Sequence, residues 1–197
     1  MAISDRLQQQ MDFLLELDRS KSVWRQTYLA NADRRENDAE HSWHLAVMCL
    51  LLGEYANGEI DLLKTVTMVL FHDVIEIDAG DTYAYDEAGH ETKAARESEA
   101  AKRLYGMLPE DQGERLRALW EEFETGETAE AKFARTLDRV QPLMLNDASG
   151  GRSWEEHGIA AEQVYRRNAQ THAGSEQLWD YARALIEKNV ENGKLRR

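Results

Sequence analysis

Residues 66–82 read Val66-Thr-Met-Val-Leu-Phe71-His72-Asp73-Val-Ile-Glu76-Ile-Asp78-Ala-Gly80-Asp81-Thr82. An almost unbroken apolar run, Val66 to Phe71, leads straight into His72 and Asp73, and Glu76, Asp78 and Asp81 follow closely. A run of that character belongs in an interior, where an ionised carboxylate without a partner costs several kcal/mol. A bound cation is the simplest way to remove that cost. The His-Asp pair by itself is weak evidence, since composition alone yields roughly 0.4 such pairs in a chain of this make-up. Its surroundings have to decide.

The bulk numbers set the frame. A chain of 197 residues fits one domain, 1–197, with a single buried core. Two prolines and a wealth of Glu, Ala, Leu, Arg and Lys point to helix, and no internal repeat is visible. A net charge of −13 argues against binding a nucleic-acid polymer or an anionic membrane, yet leaves room for a small phosphorylated substrate beside a local cation. The lone Cys49 lies in the apolar run Leu45–Leu52, reads as core filler and cannot form an intrachain disulfide. Met1–Gln10 is polar, unlike a signal peptide, and every apolar run is far shorter than a membrane span. The expectation is a soluble, cytoplasmic protein.

Outward from the quoted stretch, Ile60–Phe71 and Glu40–Tyr55 each read as a helix apolar on most sides, the character of the middle of a bundle. Ile3–Asp18 has helical spacing, while Ser20–Asn31 loses the rhythm but groups Trp24, Arg25 and Tyr28. Asn31–Asp38 and Gly80–Gly89 read as loops, the second at the mouth of a site. Glu91–Leu104 is a charged helix stopped by Gly106 and Pro109. Leu116, Leu119, Trp120 and Phe123 mark an amphipathic helix broken at Gly126. Ala129–Asn146 carries Phe133, Leu137, Val140 and Met144 on one stripe, with Pro142 removing a hydrogen bond to the carbonyl of Asp138. Ala148–Ser153 is the expected flexible loop, and Ser175 caps a last helix. No strand alternation stands out, so the expected class is all-α.

Four positions interrupt or close apolar helices: His41, His72, Asp73 and Asp138. Taken singly, each is more simply a satisfied histidine or a solvent-facing aspartate. Two imidazoles and two carboxylates together make a sensible donor set for one divalent transition metal, Mn, Co, Fe, Ni or Zn. His44 is a weaker ligand candidate, Asp78 lines the mouth at most, and His90 with Lys93 reads mainly as a solvated face. The Glu-rich stretch 121–130 reads likewise, the Trp and Met residues read as core, and His157 and His172 carry no assignment.

The ordered pattern Glu36-Asn37, Glu40-His41, His72-Asp73-Val-Ile-Glu76, Gly80-Asp81, Leu119–Glu124, Ala129–Phe133 and Leu137-Asp138 resembles the HD-domain metal-dependent phosphohydrolases, and more narrowly their 5′-deoxynucleotidase branch. The likeness runs over roughly residues 7–147, with the metal-site core at about 36–147. It implies a single-domain helical bundle with His41, His72, Asp73 and Asp138 as metal ligands and Glu76 as the residue activating water. Asp81 and Thr82 would contact the nucleotide, and Arg25 would orient its phosphate. The activity implied is hydrolysis of a phosphate monoester of a (deoxy)nucleoside, and apolar stripes on the outer helices would allow the homodimer that the resemblance suggests. Two other readings stay open: an HD hydrolase of a triphosphate or nucleotide second messenger, and a non-catalytic interaction or sensor protein stabilised by its metal.

Overall fold

A computed structural model describes residues 4–197. The expected first helix is α1, Asp5–Leu17, opened by Ser4 Oγ accepting from Leu7 N at 3.3 Å; Ile3 lies outside the described residues. A 3-10 turn, Asp18–Ser22, leads into β1, Trp24–Tyr28, which pairs antiparallel with β2, Arg35–Asn37. This hairpin corrects the strand-free expectation. Its register slips between the pairs Trp24–Asn37 and Tyr28–Arg35, and β2 is three polar residues long. Neither strand therefore shows the period-two pattern that betrays a strand in sequence.

Asn37 then starts α2, Asp38–Leu52, through a reciprocal cap: its Oδ1 accepts from Glu40 N at 3.0 Å, and the Glu40 carboxylate accepts from Asn37 N at 3.2 Å. Asp61 caps α3, Leu62–Phe71, which packs along α2. The chain breaks from helix at His72 and re-enters a short α4, Glu76–Ala79, ended by Gly80 at φ 74°. A loop runs to Asp86, the cap of α5, Glu87–Tyr105, so that helix starts one turn before its expected beginning. α6, Glu110–Thr125, ends where Gly126 turns left-handed at φ 65°. α7, Ala129–Ala148, runs on through Pro142. The expected flexible loop at 148–153 shrinks to Ser149–Gly151, because Arg152 opens α8, Arg152–His157. α9, Ala161–Asn168, follows, and α10, Glu176–Glu191, begins at its Ser175 cap as expected.

α7 is the axle. It touches α2, α3, α6 and α10, and its Phe133, Ala134 and Leu137 are fully buried beside Leu45, Met68 and Ile186. A second cluster, around Phe13, Ile75, Leu104 and Tyr105, lies under α4 and α5. Tyr105 Oη donates to Phe71 O at 2.8 Å and so fixes the chain at the break before His72. Cys49 is buried and free, and burial pushes its thiol up to about 12.

α2 departs from the expected mid-bundle burial. α2 is apolar on most sides but is not enclosed: Trp43, Leu50 and Leu51 are 62–68% exposed. Trp24 and Met11 are also exposed, so the tryptophans and methionines are not uniformly core.

Candidate metal centre

Three helices meet where α3 ends. His41 sits in the first turn of α2, His72 and Asp73 at the break after α3, and Asp138 in the middle of α7. His41 Nε2 lies 3.2 Å from Asp138 Oδ1 and 3.8 Å from Asp73 Oδ2. His72 Nε2 lies 3.1 Å from Asp73 Oδ2 and 3.8 Å from Asp138 Oδ1. Donor atoms about 2.1 Å from a shared ion, at tetrahedral or octahedral angles, stand roughly 3.0–3.4 Å apart. The observed separations begin in that range and run slightly beyond it.

The hydrogen bonds behind the two rings fix which nitrogen faces inward. His72 Nδ1 donates to Val69 O at 2.8 Å, and His41 Nδ1 donates to Gln141 Oε1 at 3.1 Å. Gln141 is itself oriented, because its Nε2 donates to Glu36 at 2.8 Å and meets His44 Nδ1 at 3.3 Å. Each ring thus turns Nε2 towards two carboxylates. His72 Nε2 is buried and, despite its closeness to Asp73, has no partner in hydrogen-bonding alignment. Inward-facing lone pairs beside carboxylate oxygens require positive charge between them, which a proton or a divalent ion can provide. The donor set fits an ion.

Protonation tells the same story. Burial disfavours a charged His72, yet the Asp73 and Asp138 carboxylates outweigh it and raise its pKa to about 10. Burial and Arg25 likewise oppose charge on His41, but Asp138 and Glu36 prevail and raise it. Burial also works against charge on Asp73 and Asp138, and the neighbouring imidazoles hold both below the usual carboxylate range.

Around this cluster sits a shell of carboxylates that behave differently. Asp38 and Glu76 each place an oxygen within 4.8 Å of an Asp73 oxygen. Burial, and then the Asp73 charge, raise Asp38 to about 8 and lift Glu76 well above its ordinary value. Glu76 Oε2 is buried without a hydrogen-bond partner, as are both Asp38 oxygens. Glu76 does not ride on a continuous helix past His72, as its spacing suggests; it opens α4 after the break and still points at the cluster's edge. Asp81 and Thr82 lie in the following loop and line the cavity that opens over Asp73 and Asp138. Arg96 on α5 holds that loop, bonding Ala79 O, Thr82 Oγ1 at 2.9 Å and Gly89 O at 3.3 Å.

Arg25 is in the cavity wall but already engaged. Its Nη1 donates to Asp73 Oδ2 at 2.8 Å, and Glu36 and Asp38 lie 3.4 and 3.8 Å away. Of the lesser candidates, His44 stands behind Gln141, and Asp78 pairs with Arg103 away from the cavity. Lys93 departs from the solvated-face expectation: it lines the cavity with its ammonium 3.2 Å from buried Glu97. So does Glu124, from the Glu-rich stretch, whereas His90 is exposed. Glu36, Asp38 and Gln141 escaped notice as site residues. Gln141 did leave a signal, one turn beyond Asp138 on the same helix face. Arg139 and Arg167 were missed too, the latter 3.6 Å from Asp138 Oδ2.

Comparison with known proteins bears on this geometry. A family model described as HD domain matches residues 17–179. The 5′-deoxynucleotidase HDDC2 of Bos taurus is 37% identical over 115 residues, 58% of this chain and 54% of its own length. The human protein of the same name is 35% identical over 114 residues, with the same two shares. The chain therefore spans about half the length of these curated relatives. A crystal structure described as a predicted metal-dependent phosphohydrolase from Magnetospirillum magnetotacticum is 47% identical, covers 98% of this chain and 96% of its own, and superposes with a TM-score of 0.94. The all-α expectation holds, the small hairpin apart. No helix among the described residues is long and apolar enough to cross a membrane.

Proposed function

We propose that this chain, which belongs to the HD-domain family, is a divalent-metal-dependent phosphohydrolase that removes phosphate from (deoxy)nucleoside 5′-monophosphates. The observation that carries it is the convergence of His41 Nε2, His72 Nε2, Asp73 and Asp138, with each ring's far nitrogen anchored. The names of the HDDC2 relatives and of the Magnetospirillum protein point to the same chemistry.

Those four residues would hold one ion, and the mixed imidazole and carboxylate donors suit Mn, Co, Fe, Ni or Zn. Such an ion supplies Lewis-acid charge to the phosphate ester. The chain's own residues do the rest. Glu76, whose side chain lines the cavity beside Asp73, accepts the proton of the attacking water. Gln141 and Glu36 keep the His41 ring turned inward. Arg25 offsets the charge of Asp73 and would turn its remaining Nη–H donors to a phosphate entering the cavity. Asp81 and Thr82, steadied by Arg96, border the nucleotide.

Phosphate release from a panel of deoxy- and ribonucleoside mono- and triphosphates tests the substrate class. Monophosphates are expected to be faster, since the net charge of −13 opposes a more anionic ligand beyond the reach of the site's cations. Triphosphates or second messengers turning over faster than every monophosphate would move the protein elsewhere among HD hydrolases. A metal-stabilised sensor would have no use for Glu76 and Asp81 beside the ligands.

The same proposal includes one domain over 1–197, a cytoplasmic setting consistent with the unpaired, buried Cys49, and a homodimer. The dimer draws on the apolar surface of α1–α3, where Leu14, Trp43 and Leu70 line one groove and Leu15, Leu51 and Leu63 are 68–76% exposed. Light scattering should give twice the chain mass of 22.6 kDa, and Trp43→Glu combined with Leu51→Arg should halve it. A wild-type monomer would remove the dimer and leave the chemistry untouched.

A further inference from the structure

Five lysine and arginine side chains line the cavity over the metal centre: Arg25, Lys93, Arg135, Arg139 and Arg167. Four of them are committed inside the protein. Arg25 donates to Asp73 Oδ2 at 2.8 Å, and Lys93 pairs with buried Glu97 at 3.2 Å. Arg135 closes the end of α6 through Phe123 O at 2.9 Å and Glu124 O, and Arg139 Nη1 donates to Arg135 O at 3.3 Å. Arg167, in the last turn of α9, is different. It is exposed, and Asp138 Oδ2, at 3.6 Å, is its one carboxylate within ion-pair range among the described residues. That separation is too long for a hydrogen bond.

The contact with Asp138 places this guanidinium. Asp138 turns Oδ1 towards His41 Nε2 at 3.2 Å and His72 Nε2 at 3.8 Å, and offers Oδ2 to Arg167. Arg167 therefore stands one carboxylate away from the inward-facing imidazoles, and Arg25 makes the matching contact on Asp73. Each aspartate of the donor set has one arginine beside it. An aspartate that gives its charge to an ion no longer balances its arginine. An exposed guanidinium on the cavity wall then has planar N–H donors to offer an anion. A terminal phosphate carries three non-bridging oxygens, one for an ion and one for each arginine. A phosphodiester carries two, and leaves one of these cations without its oxygen.

We propose that Arg167 binds the substrate's phosphate together with Arg25, and that the two arginines make the site selective for terminal phosphates over phosphodiesters. The proposal rests on the phosphohydrolase reading of the metal centre and deepens it. Hydrogen bonds between charged partners are the strong ones, so losing those of Arg167 should weaken phosphate binding about tenfold or more.

Titration calorimetry with inorganic phosphate, on the metal-loaded whole chain, tests this without any turnover. Arg167→Met should show that loss while elemental analysis still finds the wild-type metal content. Arg167→Lys keeps the charge without the fork and should fall between the two. Arg166→Met is the control, because Arg166 is the exposed neighbour on α9, outside the cavity lining, and its loss changes the net charge equally. It should leave phosphate affinity as it was. Methyl phosphate should bind the wild type more tightly than dimethyl phosphate, by a margin that Arg167→Met narrows. Unchanged phosphate affinity in Arg167→Met, an equal loss in Arg166→Met, or no phosphate binding by the wild type overturns the proposal. So does metal loss in Arg167→Met, which would make Arg167 a brace for Asp138. Phosphate release from nucleotides by the wild type is measured separately. Hydrolysis that Arg167→Met leaves unaltered removes this subsite alone, whereas phosphate bound through Arg167 without any hydrolysis removes the nucleotidase reading and keeps the subsite.

Discussion

His72→Ala and Asp138→Ala are each expected to strip the bound metal and to cut phosphate release by on the order of 10³-fold or more, the several kcal/mol that an ion contributes at a phosphoryl centre. His72 is one of two imidazoles whose inward nitrogen faces both carboxylates, and Asp138 is the contact that α7 brings to both rings. Removing either breaks the donor set and leaves its neighbours buried with unbalanced charge. A ligand that binds only the native state at 100-fold above its dissociation constant stabilises by about 2.7 kcal/mol. For a chain of this size that is a rise of roughly 5–10 °C in melting temperature on adding metal. The wild type should show that rise and the two variants should not. Elemental analysis finding one ion per chain in both variants would show that these residues are not ligands.

Glu76→Gln should separate catalyst from scaffold. The substitution keeps the shape of a buried side chain whose Oε2 has no protein partner, and it removes the ability to take a proton. Loss of a general base lowers a rate by about 10²–10⁴-fold. Metal content, melting temperature and nucleotide binding should all stay close to wild type. Full activity in Glu76→Gln would shift the base to another carboxylate of the cavity wall, with Asp81 the first to test. Loss of the metal would instead make Glu76 a ligand, which its place within 4.8 Å of Asp38 and Asp73 oxygens keeps as a real outcome.

Much of the site was legible in the sequence because its residues break strong patterns. His72 and Asp73 stand at the end of an apolar helix, and Asp138 sits between Leu137 and Val140 on a buried stripe. A polar group in such a place needs a partner, so it announces itself. Residues that supply the partners are quieter. Glu36 and Asp38 lie in a polar run that looks like any surface loop, and only the hairpin of β1 and β2 carries them inside. Gln141 is one ordinary amide until Glu36, His44 and His41 are seen to meet on it. The hairpin was hidden by its brevity and slipped register. The break after α3 was hidden because Val74, Ile75 and Ile77 continue an apolar run that would suit a helix equally well; Tyr105, bonding to Phe71 O, comes from far along the chain. The wall supplied by α8 and α9 was hidden because those helices are only six and eight residues long, too short for a repeat to stand out.

If an ion held by His41, His72, Asp73 and Asp138 makes this chain a nucleotide phosphohydrolase, removing that ion abolishes turnover. The most direct measurement strips the purified protein with a chelator, reloads it with Mn, Co, Fe, Ni or Zn in turn, and follows phosphate release from deoxynucleoside 5′-monophosphates. The prediction is no turnover in the stripped protein and recovery with at least one of these ions, saturating near one ion per chain. Equal phosphate release before and after reloading, or none with any ion, would contradict it.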